Sequence, residues 1–273
     1  MLGALVIVFR EVIEAGLIIG IVLAATRGVP HRSGWIALGI GAGVLGAGIV
    51  ALFAEAISNA FEGSGQELLN AGVLAIAVVM LMWHNAWMAR HGRDMAIEMA
   101  AVGDDVTSGK RPMTALAVVV GLAVLREGSE IVLFLYGIVT TGTSASALLM
   151  GGLLGLAAGA VCIALTYYGL LAIPARHIFT VTGILIALLA AGMAAQAVQF
   201  LDAAGFIDVL GHRMWDSSGW LPQNSMIGKL LHTLIGYTDR PTELQLIAYV
   251  ATLAVMALLT RIAAPPRDAR VAA

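Results

Sequence analysis

Cysteine and charge are the two things this chain has least of. Cys162 is the single cysteine in 273 residues, and one thiol cannot build a disulfide scaffold. Charged residues make up 12%, roughly half the share of soluble domains. So few charges exclude a soluble globular enzyme, a disordered chain and a nucleic-acid binder. Catalytic signatures are missing too. There is no Ser/His/Asp arrangement, no His-Glu-x-x-His and no phosphate-cradling or nucleotide loop, so no enzymatic activity and no resident cofactor are expected. The first apolar stretch has no basic residues ahead of it and holds Arg10, Glu11 and Glu14; it does not read as a cleaved leader.

Apolar residues are abundant instead. Hydrophobic side chains form 60% of the chain, 32 glycines raise the apolar share to about 72%, and mean hydropathy is +0.93. A helix needs about 20 apolar residues to cross the hydrocarbon core. The uncharged runs, with two more in which a few charges are tolerated, predict an all-α polytopic membrane protein of seven spans, near 2–25, 35–57, 67–89, 115–139, 146–171, 178–200 and 244–263. The runs are continuous rather than alternating, which excludes a β-barrel.

Basic residues set the expected orientation. With the amino terminus outside and the carboxyl terminus in the cytoplasm, Arg27, Arg32, Arg90, Arg93, Lys110, Arg111, Arg176, Arg261, Arg267 and Arg270 fall inside. Only Arg213, Lys229 and Arg240 fall outside. The outer loops carry acids, among them Glu55, Glu62, Glu67 and Asp216.

The sequence also matches itself. At an offset of 116 residues Arg10-Glu11-x-x-Glu14 meets Arg126-Glu127-x-x-Glu130, and Gly39-x-x-x-Gly43 meets Gly155-x-x-x-Gly159. A slightly shorter offset brings Ala71 to Leu74 onto Thr182 to Leu185. The repeating unit is three helices. An odd number inverts the second copy, which predicts an inverted 3+3 repeat with a site near the midplane. The expected organisation is one membrane domain: repeat one over 1–90, a cytoplasmic loop over 91–112, inverted repeat two over 113–201, an outer loop with an interfacial segment over 202–243, a seventh helix over 244–263 and a tail over 264–273.

On a helix, Arg-Glu-x-x-Glu spreads its three charges over about 100° of one face. Both copies lie deep: Arg10 about 12 Å from one helix end and Arg126 about 16 Å from another, by rise alone. A charge at the bilayer centre costs about 2.5–3.5 kcal/mol or more, so all six must face inward. Four carboxylates and two guanidiniums leave a formal charge of −2. Glu11, Glu14, Glu127 and Glu130 then form a cage of hard oxygen donors, with Arg10 and Arg126 orienting them. Fe³⁺ would bring the sum to +1 and a divalent ion to zero. A purely structural salt-bridge cluster and a proton relay are the rival readings.

These motifs resemble those of the oxidase-dependent iron permease family, whose signature is Arg-Glu-x-x-Glu in the first and fourth membrane helices. Trp215-Asp216, the run Gly228 to His232, Gly236-Tyr237, Pro241 and Tyr249 are similar to that family's segment before its last helix. The resemblance implies Fe³⁺ import across a bacterial inner membrane beside an extracytoplasmic iron oxidase or iron-donating protein. Because some relatives handle other metals, a hard or heavy cation such as lead or manganese is the alternative cargo.

The remaining candidates are weaker. Glu55, Glu62, Glu67, Gln196 and Asp216 are candidates for the path by which iron approaches, and His84 for the path by which it leaves. His84 has a plainer reading as one member of an aromatic interface belt with Met80, Met82, Trp83, Trp87 and Met88. Met226 to Ile235 is expected to lie along the interface as a short helix.

Overall fold

The structure is a computed structural model that describes residues 1–60, 66–140, 142–167, 175–207 and 209–263. Glu62, the tail 264–273 and the side chain of Glu55 lie outside the described residues. Among the described residues eight helices follow one another: α1 Leu2–Ala25, α2 Arg32–Ala60, α3 Gln66–Thr107, α4 Thr114–Thr140, α5 Ala145–Tyr167, α6 Ala175–Ala203, α7 Met226–Ile235 and α8 Glu243–Ala263. No β-strand occurs among the described residues beyond one isolated bridge between Arg213 and Thr242.

Among the described residues five helices are long and apolar enough to cross a membrane: the spans Arg32–Ala54, Glu67–Met88, Ala145–Tyr167, Phe179–Ala203 and Glu243–Ile262. α1 and α4 are of similar length, 24 and 27 residues, but each holds three motif charges. Leu38, Leu45, Leu52 and Phe53 of α2 and Leu149 and Leu153 of α5 are more than half exposed. Apolar surface of that extent belongs in lipid rather than water.

One expectation needs correction. The stretch expected as a cytoplasmic loop, 91–112, is helical as far as Thr107. Its Met, Ala, Ile and Glu residues are good helix formers, and Val102 and Val106 are buried. Gly109, at φ +74°, ends the helix and Pro112 precedes the next. The short helix α7 has the expected bounds. Ser225 caps its start by accepting from the Gly228 amide, and Gly236 in the left-handed region closes it.

The most extensive contacts join α2 to α4, α1 to α5 and α3 to α6, with α8 covering α6. Glycine makes the first two pairings close. A Cβ on Gly43 would stand 2.7 Å from the Gly121 carbonyl oxygen and 2.9 Å from the Leu125 nitrogen. One on Gly155 would stand 2.6 Å from the Leu5 oxygen and 3.0 Å from the Phe9 nitrogen. Leu5 and Phe9 are Gly121 and Leu125 less 116 residues. By its surroundings the counterpart of Gly43 is therefore Gly155, one helical turn from the 116-residue match with Gly159. Gly43→Ala is expected to lose about 1–3 kcal/mol from overpacking against rigid backbone. Gly41→Ala, with nothing within 4 Å, should be near neutral. Thermal unfolding of the two variants in detergent checks the contrast.

Candidate functional site

Three helices bring charge together in the interior. α1 contributes Arg10, Glu11 and Glu14, spaced so that all three point away from lipid. α4 contributes Arg126, Glu127 and Glu130, and α3 contributes His84. Arg10, Glu11, Glu14, His84 and Glu127 are all at most 4% exposed. Arg10 Nε lies 2.9 Å from Glu14 Oε1. Arg126 Nε donates to Glu130 Oε1 at 3.2 Å and lies 3.6 Å from Glu127 Oε1. His84 joins the two motifs: its Nδ1 contacts Glu130 Oε2, and its Nε2 lies 3.4 Å from Glu14 and 3.8 Å from Glu11. One ligand atom from each of Glu11, His84, Glu127 and Glu130 falls within 4.8 Å of the others. Donors on one ion at about 2.1 Å can be at most about 4.2 Å apart, so a few tenths of an ångström of closure would seat a cation.

The cluster is under-satisfied. Arg10 Nη1, both carboxylate oxygens of Glu11 and Glu14, His84 Nε2, Glu127 Oε2 and Glu130 Oε2 are buried without a hydrogen bond from the chain. Ion-pair proximity offsets part of the desolvation, but orphaned polar atoms normally cost about 1–3 kcal/mol each, more when charged. Eight of them lie together here.

The two halves of the cluster differ in access. A cavity of about 440 Å³, lined by Val79, Met80, Trp83, His84, Trp87, Arg126 and Glu130, reaches the α4 side. The Arg126 side chain is 34% exposed there, against 4% for Arg10. Its guanidinium sits 4.2 Å over the Trp87 ring, and that ring stacks on His91 at 5.0 Å. A second cavity of about 540 Å³ is lined by Glu67, Gln196, Gln199, Gln223, Lys229 and His232 among others. Gln196 hydrogen-bonds His232 there. Leu74, Leu81, Phe134, Ile138 and Met193 belong to one buried apolar cluster beside the charges.

The structure brings together all six motif residues. It adds His84, which lies buried among the motif charges rather than in an interface belt. The signal was present: Ala71, Leu74, Val78, Leu81 and His84 recur at helical spacing and all are buried. Glu67 and Gln196 share the larger cavity. Asp216 stands apart. Ser218 donates to it from its hydroxyl and its amide, Arg240 pairs with it at 3.1 Å, and these bonds lower its carboxyl to about 2.

A bundle of lipid-exposed helices around buried, paired Arg-Glu-x-x-Glu motifs defines a multi-pass membrane protein with a charged cluster in its interior. The chain belongs to the Iron permease FTR1 family, which it matches over residues 1–264. It is similar to the ferrous iron permease EfeU of Escherichia coli O6:H1 (strain CFT073), with 31% identity over 96% of this chain and 95% of that one. The ferrous iron permeases EfeU of Shigella sonnei, 30% identical over 96% and 95%, and of Yersinia pestis, 27% identical over 96% and 93%, are further relatives. No solved structure gives a significant match.

Proposed function

We propose that this chain imports iron across a bacterial inner membrane, passing it through a cage of Glu11, Glu14, Glu127 and Glu130 that Arg10 and Arg126 hold in place. Seven spans would cross the bilayer, α1 to α6 and α8, with the amino terminus outside. The observation that carries this reading is the group of buried, unbonded carboxylate oxygens drawn from two helices around one space. The corresponding surroundings of Gly43 and Gly155 support an inverted repeat, in which the two motifs face each other across a pseudo-twofold axis. In that orientation the cavity around Gln196 and Glu67 opens outward, where an iron oxidase or iron-donating protein would deliver its cargo.

Oxygen donors favour the harder Fe³⁺. A second reading, Fe²⁺, is favoured by charge: the formal −2 of four glutamates and two arginines is cancelled by a divalent ion, and the relatives are named for ferrous iron. Purified protein in liposomes, given radioactive iron as Fe³⁺–citrate or as Fe²⁺ under ascorbate, tests both. Saturable uptake is expected from one supply, unaffected by excess Mg²⁺. Uptake of Pb²⁺ or Mn²⁺ with none of iron in either form would overturn the cargo, and no flux of any cation would overturn the permease.

A further inference from the structure

His84 sits where the two motifs meet, and its two ring nitrogens face different partners. Nδ1 lies against Glu130 Oε2, while Glu130 Oε1 accepts from Arg126. Glu130 is thus bonded through Oε1 and in ion-pair contact through Oε2. Nε2 makes no hydrogen bond and faces the carboxylates of Glu14 and Glu11 at 3.4 and 3.8 Å. Phe134, edge-on at 6.4 Å between ring centroids, backs the imidazole, and the side chain is 4% exposed.

That is the geometry of a metal-binding histidine. Such a residue presents one nitrogen to the ion and gives its other N–H to a carboxylate, which fixes tautomer and ring orientation. We propose that His84 Nε2 is a direct ligand to the ion in transit, and that Glu130, locked between Arg126 and His84, positions the ring instead of binding the ion itself. Of the four glutamates in the proposed cage, Glu11, Glu14 and Glu127 then remain as ligands beside one imidazole, while Glu130, with one oxygen within 4.8 Å of donor atoms of Glu11, His84 and Glu127, is turned to the ring. This deepens the proposed function and rests on it: it assumes that a cation enters this cage.

The chemical consequence is selectivity among divalent ions. Ca²⁺ and Mg²⁺ take oxygen donors and gain little from an imidazole. First-row transition ions accept nitrogen and bind it more tightly along the series. Three carboxylates without His84 would be a general cation site. With it, the site selects a transition ion of the same charge from the Ca²⁺ and Mg²⁺ that far outnumber it.

The test uses the full chain in lipid nanodiscs with Mn²⁺ as paramagnetic probe. Electron spin-echo modulation should show one ¹⁴N nucleus coupled to the bound Mn²⁺. In His84→Asn and His84→Gln the nitrogen modulation should disappear, and Mn²⁺ affinity should fall by at least the roughly 100-fold that marks the upper end for outer-shell partners. A hundredfold excess of Ca²⁺, harmless to the parent, should then displace the ion. Mn²⁺ bound to the parent without nitrogen modulation overturns the inference, as does modulation that survives both substitutions. The cage is tested separately by Glu11→Gln. If that change abolishes Mn²⁺ binding while the parent signal lacks nitrogen, the inference fails and the carboxylate reading stands. If the parent binds no Mn²⁺ at all, the inference falls, and the cage then stands or falls with the iron uptake in liposomes described above.

Discussion

Iron uptake falls more than a hundredfold when Glu11 is replaced by Gln, while the protein reaches the membrane in undiminished amount: this is the expected outcome of the most informative single substitution. Glu11 is fully buried. The His84 Nε2 lies 3.8 Å from it, and neither of its oxygens makes a hydrogen bond. Buried charge without a close partner destabilises a fold, and neutral groups of the same shape relieve that cost. Gln keeps the volume and removes the charge, so stability should hold or rise by about 1 kcal/mol. Changes to outer-shell partners of a metal already cost about 10–100-fold in affinity or activity; loss of a ligand should exceed that. Uptake and stability therefore move in opposite directions. Whole-cell uptake of radioactive iron, beside thermal unfolding of the purified variant, measures both. Joint loss of the two would assign Glu11 to the fold instead of the ion.

The same tension explains what could be read in the sequence. Helices announce themselves through apolar runs, and every expected span has a helix in its place among the described residues; apart from the end of α3, and the end of the fifth span at 171, which lies outside those residues, the ends are displaced by a few residues. The long extension of α3 to Thr107 was hidden because charge and hydropathy mark where lipid ends, not where a helix ends. The six motif residues were legible because charge inside an apolar run has no bland lipid-facing explanation. His84 was not, because histidine beside Trp83 and Trp87 also fits the bilayer boundary. The periodicity that buries Leu74, Leu81 and His84 on one stripe becomes decisive only when α1 and α4 are seen to lie against that stripe. The glycine register failed for a related reason. Gly39, Gly43, Gly151, Gly155 and Gly159 recur every four residues, so sequence alone offers matches one turn apart, and only the backbone each glycine touches distinguishes them.

Arg10 should behave in the opposite way to Glu11. Arg10→Ala removes the guanidinium that lies 2.9 Å from Glu14, in a place where both side chains are at most 4% exposed. Breaking a buried ion pair from one side costs about 3–5 kcal/mol, because the surviving charge has neither partner nor water. That is a large part of a typical stability margin, so the variant should be nearly absent from the membrane fraction. Arg126→Ala should be milder. Its side chain is 34% exposed to the cavity beside Trp87, where water can solvate Glu130, so the protein should accumulate but transport poorly. The asymmetry yields a sharper test. If an unpaired Glu14 is what disables Arg10→Ala, adding Glu14→Gln should restore expression by removing the stranded charge, without restoring uptake. A double-mutant cycle on membrane abundance should then show a coupling of about 2–3 kcal/mol between the two positions. Independent, additive losses would mean that Arg10 supports the bundle through contacts other than Glu14, and that the motif's arginine does not exist to hold its glutamate in place.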